Sequence, residues 1–160
     1  MTQVTQENNV KTIQDLFNEI YQLNQKIIKN QNILDSLSFN NSIDEYNVLI
    51  KAIIEDNSII KKYRLMIQEA NFKEITIYKN KEIKLYKLIN IKEQLVFKSR
   101  LIQNTIKQLK DNNKIDNTKG ELNHKSIMVL SQEAYEVSIE INEVLNILNN
   151  FNNSFKIKLG

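Results

Sequence analysis

The chain contains no proline and only two glycines, Gly120 and Gly160, among its 160 residues. Proline and glycine are the residues that most often end a helix, so a chain nearly free of them can form long uninterrupted helices. A hydrophobic content of 41% and a charged content of 26% are those of a folded protein rather than a disordered one. A length of 160 residues allows about one domain with one core. We therefore expect a single helical domain over residues 12–160, preceded by a flexible N-terminus at 1–11.

The segment from Leu130 to Phe151 has the most regular apolar pattern in the chain. Its apolar residues alternate at steps of four and three, at Leu130, Ala134, Val137, Ile141, Val144, Leu148 and Phe151. This spacing is typical of an amphipathic helix with one apolar face. Beside that face runs a row of carboxylates, Glu133, Glu136, Glu140 and Glu143. We predict that this row is the edge along which the last helix pairs with a neighbouring helix, rather than a divalent-cation site.

Three further amphipathic helices are predicted upstream. The first begins at a capping box formed by Thr12 and Asp15 and ends near Ser36. The second begins at another capping box, which starts at Ser42, and ends near Ala70. Each helix is predicted to have one dominant apolar stripe, which faces a common core.

The third helix is predicted to begin near Lys84 and to end near Leu109, followed by a polar connector over 111–124. In the second helix, Asn57 falls on the predicted apolar stripe, where a buried amide would fix the register of helix packing. Short links between long helices favour antiparallel neighbours. The predicted fold is therefore mainly α, an antiparallel up-down-up-down four-helix bundle.

Two short β-branched runs interrupt the helical pattern, at about 74–78 and 126–130. Lys79, Asn80 and Lys81 follow the first run as a predicted turn, and Ser131 follows the second as a predicted cap of the last helix. The two runs are predicted to pair as a short two-stranded ribbon. The alternative is that both are irregular or helical, because short apolar runs fit either structure.

Several short stretches are similar to those of one protein family. They are the apolar helix end at 65–71, Thr76, the Lys-Glu-Gln-Leu step at 92–95, the apolar run at 127–131, and Phe155 after the last helix. In layout and at these positions, over roughly residues 12–159, the chain resembles the septicolysin-like family of small bacterial helical proteins. That family has Thr where this chain has Ala70, Arg-Asp at 92–93 and Trp at Phe155. The resemblance implies a helical fold, and the family name implies cytolytic activity.

The sequence contains few of the residues that catalytic sites require. No cysteine is present, which excludes disulfides, thiolate metal sites and thiol nucleophiles. The only histidine, His124, forms a Glu-x-x-His half-motif with Glu121, but a di-iron bundle needs two such motifs and no second copy exists. No glycine-rich loop follows a strand, so a phosphate cradle is not predicted. We predict a non-enzymatic protein with no catalytic residues, cofactor, metal or small-molecule substrate.

Charge is unevenly distributed along the chain. Residues 61–110 carry thirteen Lys/Arg against four Asp/Glu, a net charge of +9, whereas residues 1–60 carry −4 and residues 111–160 carry −2. In the simpler interpretation, the basic segment pairs with the acidic helices of the same chain. In the alternative, an anionic partner binds a basic surface formed by Lys61, Lys62, Arg64, Lys84, Lys87, Lys98 and Arg100.

Three hypotheses for function follow from these patterns. The first is a helical interaction or scaffold protein that binds a protein partner or itself, because Ile139, Leu145 and Ile147 widen the apolar face of the last helix. The second is a membrane-active protein, which the family resemblance and the amphipathic helices favour. The third is a nucleic-acid binder that uses the basic 61–110 segment. With no predicted signal peptide and no apolar stretch long enough to cross a bilayer, we expect a cytoplasmic protein.

Overall fold

A computed structural model of the chain describes residues 9–37, 43–115 and 120–160. The helices are α1 (Ile13–Ser36), α2 (Ile43–Lys73), α3 (Leu85–Ile115) and α4 (Gly120–Ser154). The strands are β1 (Val10–Thr12), β2 (Ile75–Tyr78), β3 (Lys81–Lys84) and β4 (Lys156–Lys158). The predicted fold class, mainly α with four long helices and a short β ribbon, is confirmed.

The chain divides into two compact units. Unit 1 comprises Met1–Phe72 and Phe151–Gly160, and unit 2 comprises Lys73–Asn150. Unit 1 contains α1, nearly all of α2 and the last residues of α4, whereas unit 2 contains α3 and most of α4. The assignment of residues 12–160 to one domain stays a prediction.

The core of unit 1 is formed by α1 and α2. Its buried side chains are Ile13, Leu16, Ile20, Ile60, Ile67 and Ala70. The first turns of α1 thus pack against the last turns of α2, and Lys26, farther along α1, pairs with Asp56, which comes earlier in α2. The two helices are therefore antiparallel. Phe151 and Phe155 also pack against this core, and their rings stack with centroids 4.9 Å apart.

The start of α1 is fixed by the predicted capping box. The Asp15 amide donates to the Thr12 hydroxyl at 3.1 Å, and the Asp15 carboxylate accepts from the Thr12 amide at 2.9 Å. The bond from the Thr12 amide, and then one that the carboxylate accepts from the Thr12 hydroxyl at 2.8 Å, lower the pKa of Asp15. Val10 and Lys11, the last residues of the N-terminus that the sequence predicts to be flexible, belong to β1, which pairs antiparallel with β4. The backbone bonds to β4 fix these two residues.

The start of α2 differs in part from the sequence prediction. The capping box at Ser42 lies outside the described residues, and α2 ends at Lys73, three residues later than predicted. Asn57 is exposed, so its predicted place on the buried stripe is wrong. The preceding residue, Asp56, is the buried polar side chain of this helix. A shift of one residue rotates a helical side chain by about 100°, which moves it from the packed face to the surface.

In unit 2, β2 and β3 form an antiparallel hairpin with Ile75 opposite Lys84 and Tyr78 opposite Lys81. The strand predicted at 74–78 is confirmed as β2, and the turn is confirmed at Lys79 and Asn80, whereas Lys81 already belongs to β3. The predicted pairing of β2 with residues 126–130 is wrong. The connecting residues Lys79 and Asn80 have φ angles of 49° and 62°. Two consecutive positive φ angles are typical of the type I′ turn that joins two strands directly. The hairpin therefore closes locally and needs no distant strand.

Residues 126–130 are helical because α4 begins at Gly120, eleven residues before the predicted cap at Ser131. On the other side of the connector, α3 continues to Ile115. The connector predicted over 111–124 is therefore wrong except at 116–119, which lie outside the described residues. No proline interrupts the helical pattern there, and the half-buried Ile127 and Leu130 continue the packed face of α4.

The two helices of unit 2 are also antiparallel. Glu140, late in α4, lies beside the β2–β3 hairpin that precedes α3, whereas Glu133, earlier in α4, pairs with Lys98, farther along α3. The predicted face of α4 is packed: Val137, Val144 and Leu148 are buried. Buried side chains of the hairpin and α3 complete the core of this unit, namely Tyr78, Leu85, Leu88 and Ile102.

Candidate interaction surfaces

The carboxylate row of α4 lies in unit 2, and Glu140 is its most extensively bonded member. Its Oε1 accepts hydrogen bonds from the Tyr78 hydroxyl at 2.6 Å and from Lys79 Nζ at 2.5 Å. The Lys79 bond, followed by the Tyr78 bond, lowers the pKa of Glu140. The same pair raises the pKa of Lys79 to about 12. Burial, and then the bond to Glu140, raises the pKa of Tyr78. Glu140 therefore links α4 to the hairpin through two hydrogen bonds.

A second ion pair joins α3 to α4. Lys98 Nζ lies 2.8 Å from the Glu133 carboxylate, which raises the pKa of Lys98. Glu136 accepts a hydrogen bond from Gln132 at 3.1 Å, and Glu143 is exposed. An open groove of about 650 Å³ runs along these carboxylates, lined by Lys98, Met128, Val129, Gln132, Glu133, Glu136, Val137 and Glu140. Two of the four carboxylates thus pair with lysines of the basic 61–110 segment.

The seven predicted basic residues are divided between the two units. Lys61, Lys62 and Arg64 lie on α2 in unit 1, whereas the remaining four lie in unit 2 at Lys84, Lys87, Lys98 and Arg100. All are exposed except Lys84, which is half-buried. Three of them already have partners within their own unit: Lys98 pairs with Glu133, Lys84 donates to the Lys73 carbonyl at 3.0 Å, and Lys62 donates to the Gly160 carbonyl at 3.5 Å.

The most extended apolar surface in the described part of unit 1 is on α2. We call it the α2 outer face and define it by Ile43, Ile50, Ile54, Lys61, Leu65 and Phe72, all of which are exposed. Ile54 is 63% exposed and Leu65 is 65% exposed, although both sit in the middle of a 31-residue helix. They lie on the side of α2 turned away from the buried Ile60 and Ile67. A row of large apolar side chains in water is unusual for a surface without a partner.

A shorter apolar row occurs on α4 in unit 2. We call it the α4 outer face and define it by Met128, Tyr135 and Ile139, which are exposed at helical spacings of seven and four. Gln132 lies between the first two and is also exposed. Of the three residues predicted to widen the apolar face of this helix, Ile139 is on this row. Leu145 is exposed and Ile147 is half-buried, and at 100° per residue they lie on two other sides of the helix.

The described residues provide little for other chemistry. No group of three or more His, Cys, Asp or Glu side chains among them could hold a metal ion. His124 is exposed on α4. No helix within the described ranges has an apolar stretch long enough to cross a bilayer.

No protein-family model, curated protein or solved structure matches the chain. The resemblance to the septicolysin-like family therefore stays a prediction. At one of the positions that carry it, 127–131, the family has a strand where this chain is helical.

The α2 outer face was missed because each helix was expected to have a single apolar stripe. For α2 that expectation is wrong, since this helix has a buried stripe and a second, exposed one. The signal is present in the sequence. Along the outer face, successive members are separated by 7, 4, 7, 4 and 7 residues, and all but Lys61 are apolar. A second apolar row at helical spacing indicates a second apolar face on the same helix.

Proposed function

We propose that this is a non-enzymatic helical interaction protein that binds another protein through the α2 outer face. The observation that carries the proposal is the exposure of Ile54 and Leu65 within one regular apolar row. Single exposed apolar residues are common on protein surfaces, whereas contiguous apolar patches rimmed by polar residues mark interaction sites. Here the row is about 43 Å long at about 1.5 Å per residue, and it is flanked by Asn57, Ser58 and Gln68.

The contacts of the charged residues support a structural role for the carboxylate row of α4 and for part of the predicted basic surface. Glu133 and Glu140 pair with lysines of their own unit, and so contribute to holding α3, α4 and the hairpin together. Of the candidate cations for nucleic acid, three are already engaged within their units. The proposal therefore assigns recognition to apolar surface, and it assigns the charges that are paired within each unit to folding. The predicted cytoplasmic location is part of the proposal.

The test is affinity capture from a native lysate with three baits. The first is the wild type, and the second is the double variant Ile54→Ser with Leu65→Ser. The third is Val48→Ser, a matched control on α2 that is 67% exposed but lies off the outer face. We expect one or more polypeptides, a second copy of the chain included, to be captured by the wild type and by the control. The double variant should not capture them.

Equal capture by all three baits would contradict the proposal. So would capture of nucleic acid alone with a steep loss at higher salt, which indicates phosphate contacts. Circular dichroism of the baits checks that each is folded. All three substituted side chains are exposed, so we expect the helix content to be unchanged.

A further inference from the structure

The members of the α2 outer face are placed symmetrically along the helix. The separations of 7, 4, 7, 4 and 7 residues are the same when they are counted from either end of the helix. If a second α2 is laid antiparallel on the first with the two-fold axis between Asn57 and Ser58, every member of the face meets a member of the same face. We propose that the α2 outer face binds the α2 outer face of a second copy, in this antiparallel register. The inference rests on the proposed function and names the partner.

The side chains brought together in this register are chemically matched. Ile50 lies opposite Leu65 of the second copy, and Ile43 lies opposite Phe72. Ile54 lies opposite Lys61, whose methylene stem can cover an apolar side chain while its ammonium group reaches water. A two-fold interface of this kind is self-complementary, so each of these pairs occurs twice.

The polar residues that flank the face follow the same symmetry. Asn47 and Gln68, both exposed, lie opposite each other, and their amides can exchange hydrogen bonds. Asn57 and Ser58, also exposed, surround the two-fold axis. A polar residue at the centre of an apolar helix interface fixes register and orientation, because a shifted pairing would bury its amide against apolar side chains. In the dimer, Asn57 thus fixes the register of helix pairing. The sequence predicted the same role for it within the core.

The charge distribution of α2 also favours the antiparallel orientation. Residues 43–57 carry four carboxylates and one lysine, whereas residues 58–72 carry three cations and one carboxylate. The formal net charge is therefore −3 on the first half, where Lys26 offsets the charge of the buried Asp56, and +2 on the second. An antiparallel pair places the acidic half of one helix on the basic half of the other. A parallel pair would place like charges together.

The spacing of the row suits two helices that pair with a slight right-handed twist. Ile43, Ile54 and Leu65 are spaced by eleven residues, as are Ile50, Lys61 and Phe72. Eleven residues make three turns at about 3.67 residues per turn, so the row follows the helix axis closely and drifts little around it. The face can therefore stay in contact along its whole length.

Cysteine cross-linking tests the register, and the natural absence of cysteine makes each introduced thiol unique. In the antiparallel dimer, two copies of Ser58→Cys face each other near the axis and should be joined by a short bifunctional maleimide. Two copies of Ile43→Cys would be about 43 Å apart, at about 1.5 Å per residue, and should not be joined. Cross-linking of both variants would indicate a parallel pair, and cross-linking of neither would indicate no pair. Either result overturns the proposal.

Charge substitutions test the opposed residues by analytical ultracentrifugation. Ile50→Glu should weaken the dimer by about tenfold or more, because the interface then buries two carboxylates, each against Leu65 of the other copy. Adding Leu65→Lys places opposite charges face to face and should restore much of the affinity. Adding Ile54→Lys to Ile50→Glu introduces the same two charges at positions that are not opposed, and should restore nothing. Val48→Glu, off the face, should leave the dimer unchanged. Equal behaviour of the two double variants would overturn the register.

The results also separate this inference from the proposed function. If the wild type is monomeric but the Ile54→Ser and Leu65→Ser bait loses a captured protein of another kind, self-pairing is wrong and the interaction function stands. If the wild type is monomeric and no capture depends on the face, both are wrong.

Discussion

The two units use the same architecture, an antiparallel helix pair with a short strand ribbon, but they differ in how their polar groups are arranged. In unit 1 the pair of Lys26 with Asp56 includes a carboxylate that is only 5% exposed, whereas in unit 2 Glu140 is partly exposed and serves the hairpin. The units also differ at their surfaces, because the apolar row on α2 is long and regular and that on α4 is short. The comparison teaches that ion pairs stabilise both units, while exposed apolar side chains distinguish their surfaces.

Substitutions in the two cores should have the largest effects on the free energy of unfolding. Leu16 and Leu88 allow the two cores to be compared directly. Both leucines are fully buried, one in each unit. Each Leu→Ala variant should lower the free energy of unfolding by about 2–5 kcal/mol through lost burial and a residual cavity. If residues 12–160 are one cooperative domain, either variant should accelerate native-state hydrogen exchange in α1 and α3 alike. Acceleration confined to the substituted unit would contradict the single-domain prediction.

Removing the lysine of an ion pair should have the next largest effect on the free energy of unfolding, and the effect should differ between the two units. Lys26 Nζ lies 3.0 Å from Asp56 Oδ1, to which it donates, and 2.9 Å from Oδ2, which has ionic contact but no hydrogen bond within the described residues. Lys26→Met leaves a buried carboxylate without its cation and should cost about 1–3 kcal/mol in chemical denaturation. Lys79→Met should cost less, because Glu140 keeps the Tyr78 hydrogen bond and partial access to water.

The control for this comparison removes both members of the buried pair. Lys26→Met combined with Asp56→Leu should recover much of the stability lost in Lys26→Met alone, because no charge is then left buried. If Lys79→Met lowers the free energy of unfolding more than Lys26→Met does, the larger contribution that we assign to the buried pair of unit 1 is wrong.

The pH dependence of stability should report on the interactions of Glu140 with Tyr78 and Lys79 in unit 2. The pKa of Glu140 is lowered from 4.5, so its favourable contribution is present above pH 4.5 and is lost as the pH falls below that value. The pKa of Lys79 is raised from 10.5 to about 12, so its contribution is present below pH 10.5 and is lost as the pH rises toward 12. The difference in unfolding free energy between the wild type and Glu140→Gln should therefore be largest at intermediate pH. A difference that does not change with pH would contradict the contribution of these interactions to stability.

The smallest effect should come from the β2–β3 turn. Lys79 and Asn80 hold positive φ angles that non-glycine residues adopt at some cost. Asn80→Gly should stabilise the protein by less than about 1 kcal/mol, because the relief of strain is partly offset by the greater freedom of glycine in the unfolded chain. Asn80→Val, which is β-branched, should be destabilising in thermal unfolding. The reverse order would show that the turn adopts another conformation in solution.

Much of the fold could be predicted from the sequence because the helical periodicity is strong. The Thr12 capping box, the bounds of α1 and the packed face of α4 follow from local residue patterns. The pairing of β1 with β4 could not be predicted, since it joins residues almost the whole chain apart and has no local signal. The partner of β2 was misjudged although the turn at Lys79 and Asn80 was predicted, because β3 is only four residues long, is mostly charged and runs directly into α3.

The candidate surfaces were less predictable for a different reason. Charge is conspicuous in a sequence, yet whether Glu133 and Glu140 are free or paired depends on which helices become neighbours. The second apolar row of α2 was present in the sequence, but only burial shows which of its two rows faces the core. Sequence patterns thus located the apolar faces of the helices, and packing decided which faces were left exposed.

The most direct measurement of the central claim is sedimentation equilibrium of the wild type over a wide range of concentrations. If the α2 outer face binds a second copy, the mass should rise with concentration from 18.9 kDa toward twice that value. The Ile50→Glu variant should remain near the monomer mass over the same range. A wild-type mass of 18.9 kDa at every concentration would contradict the account.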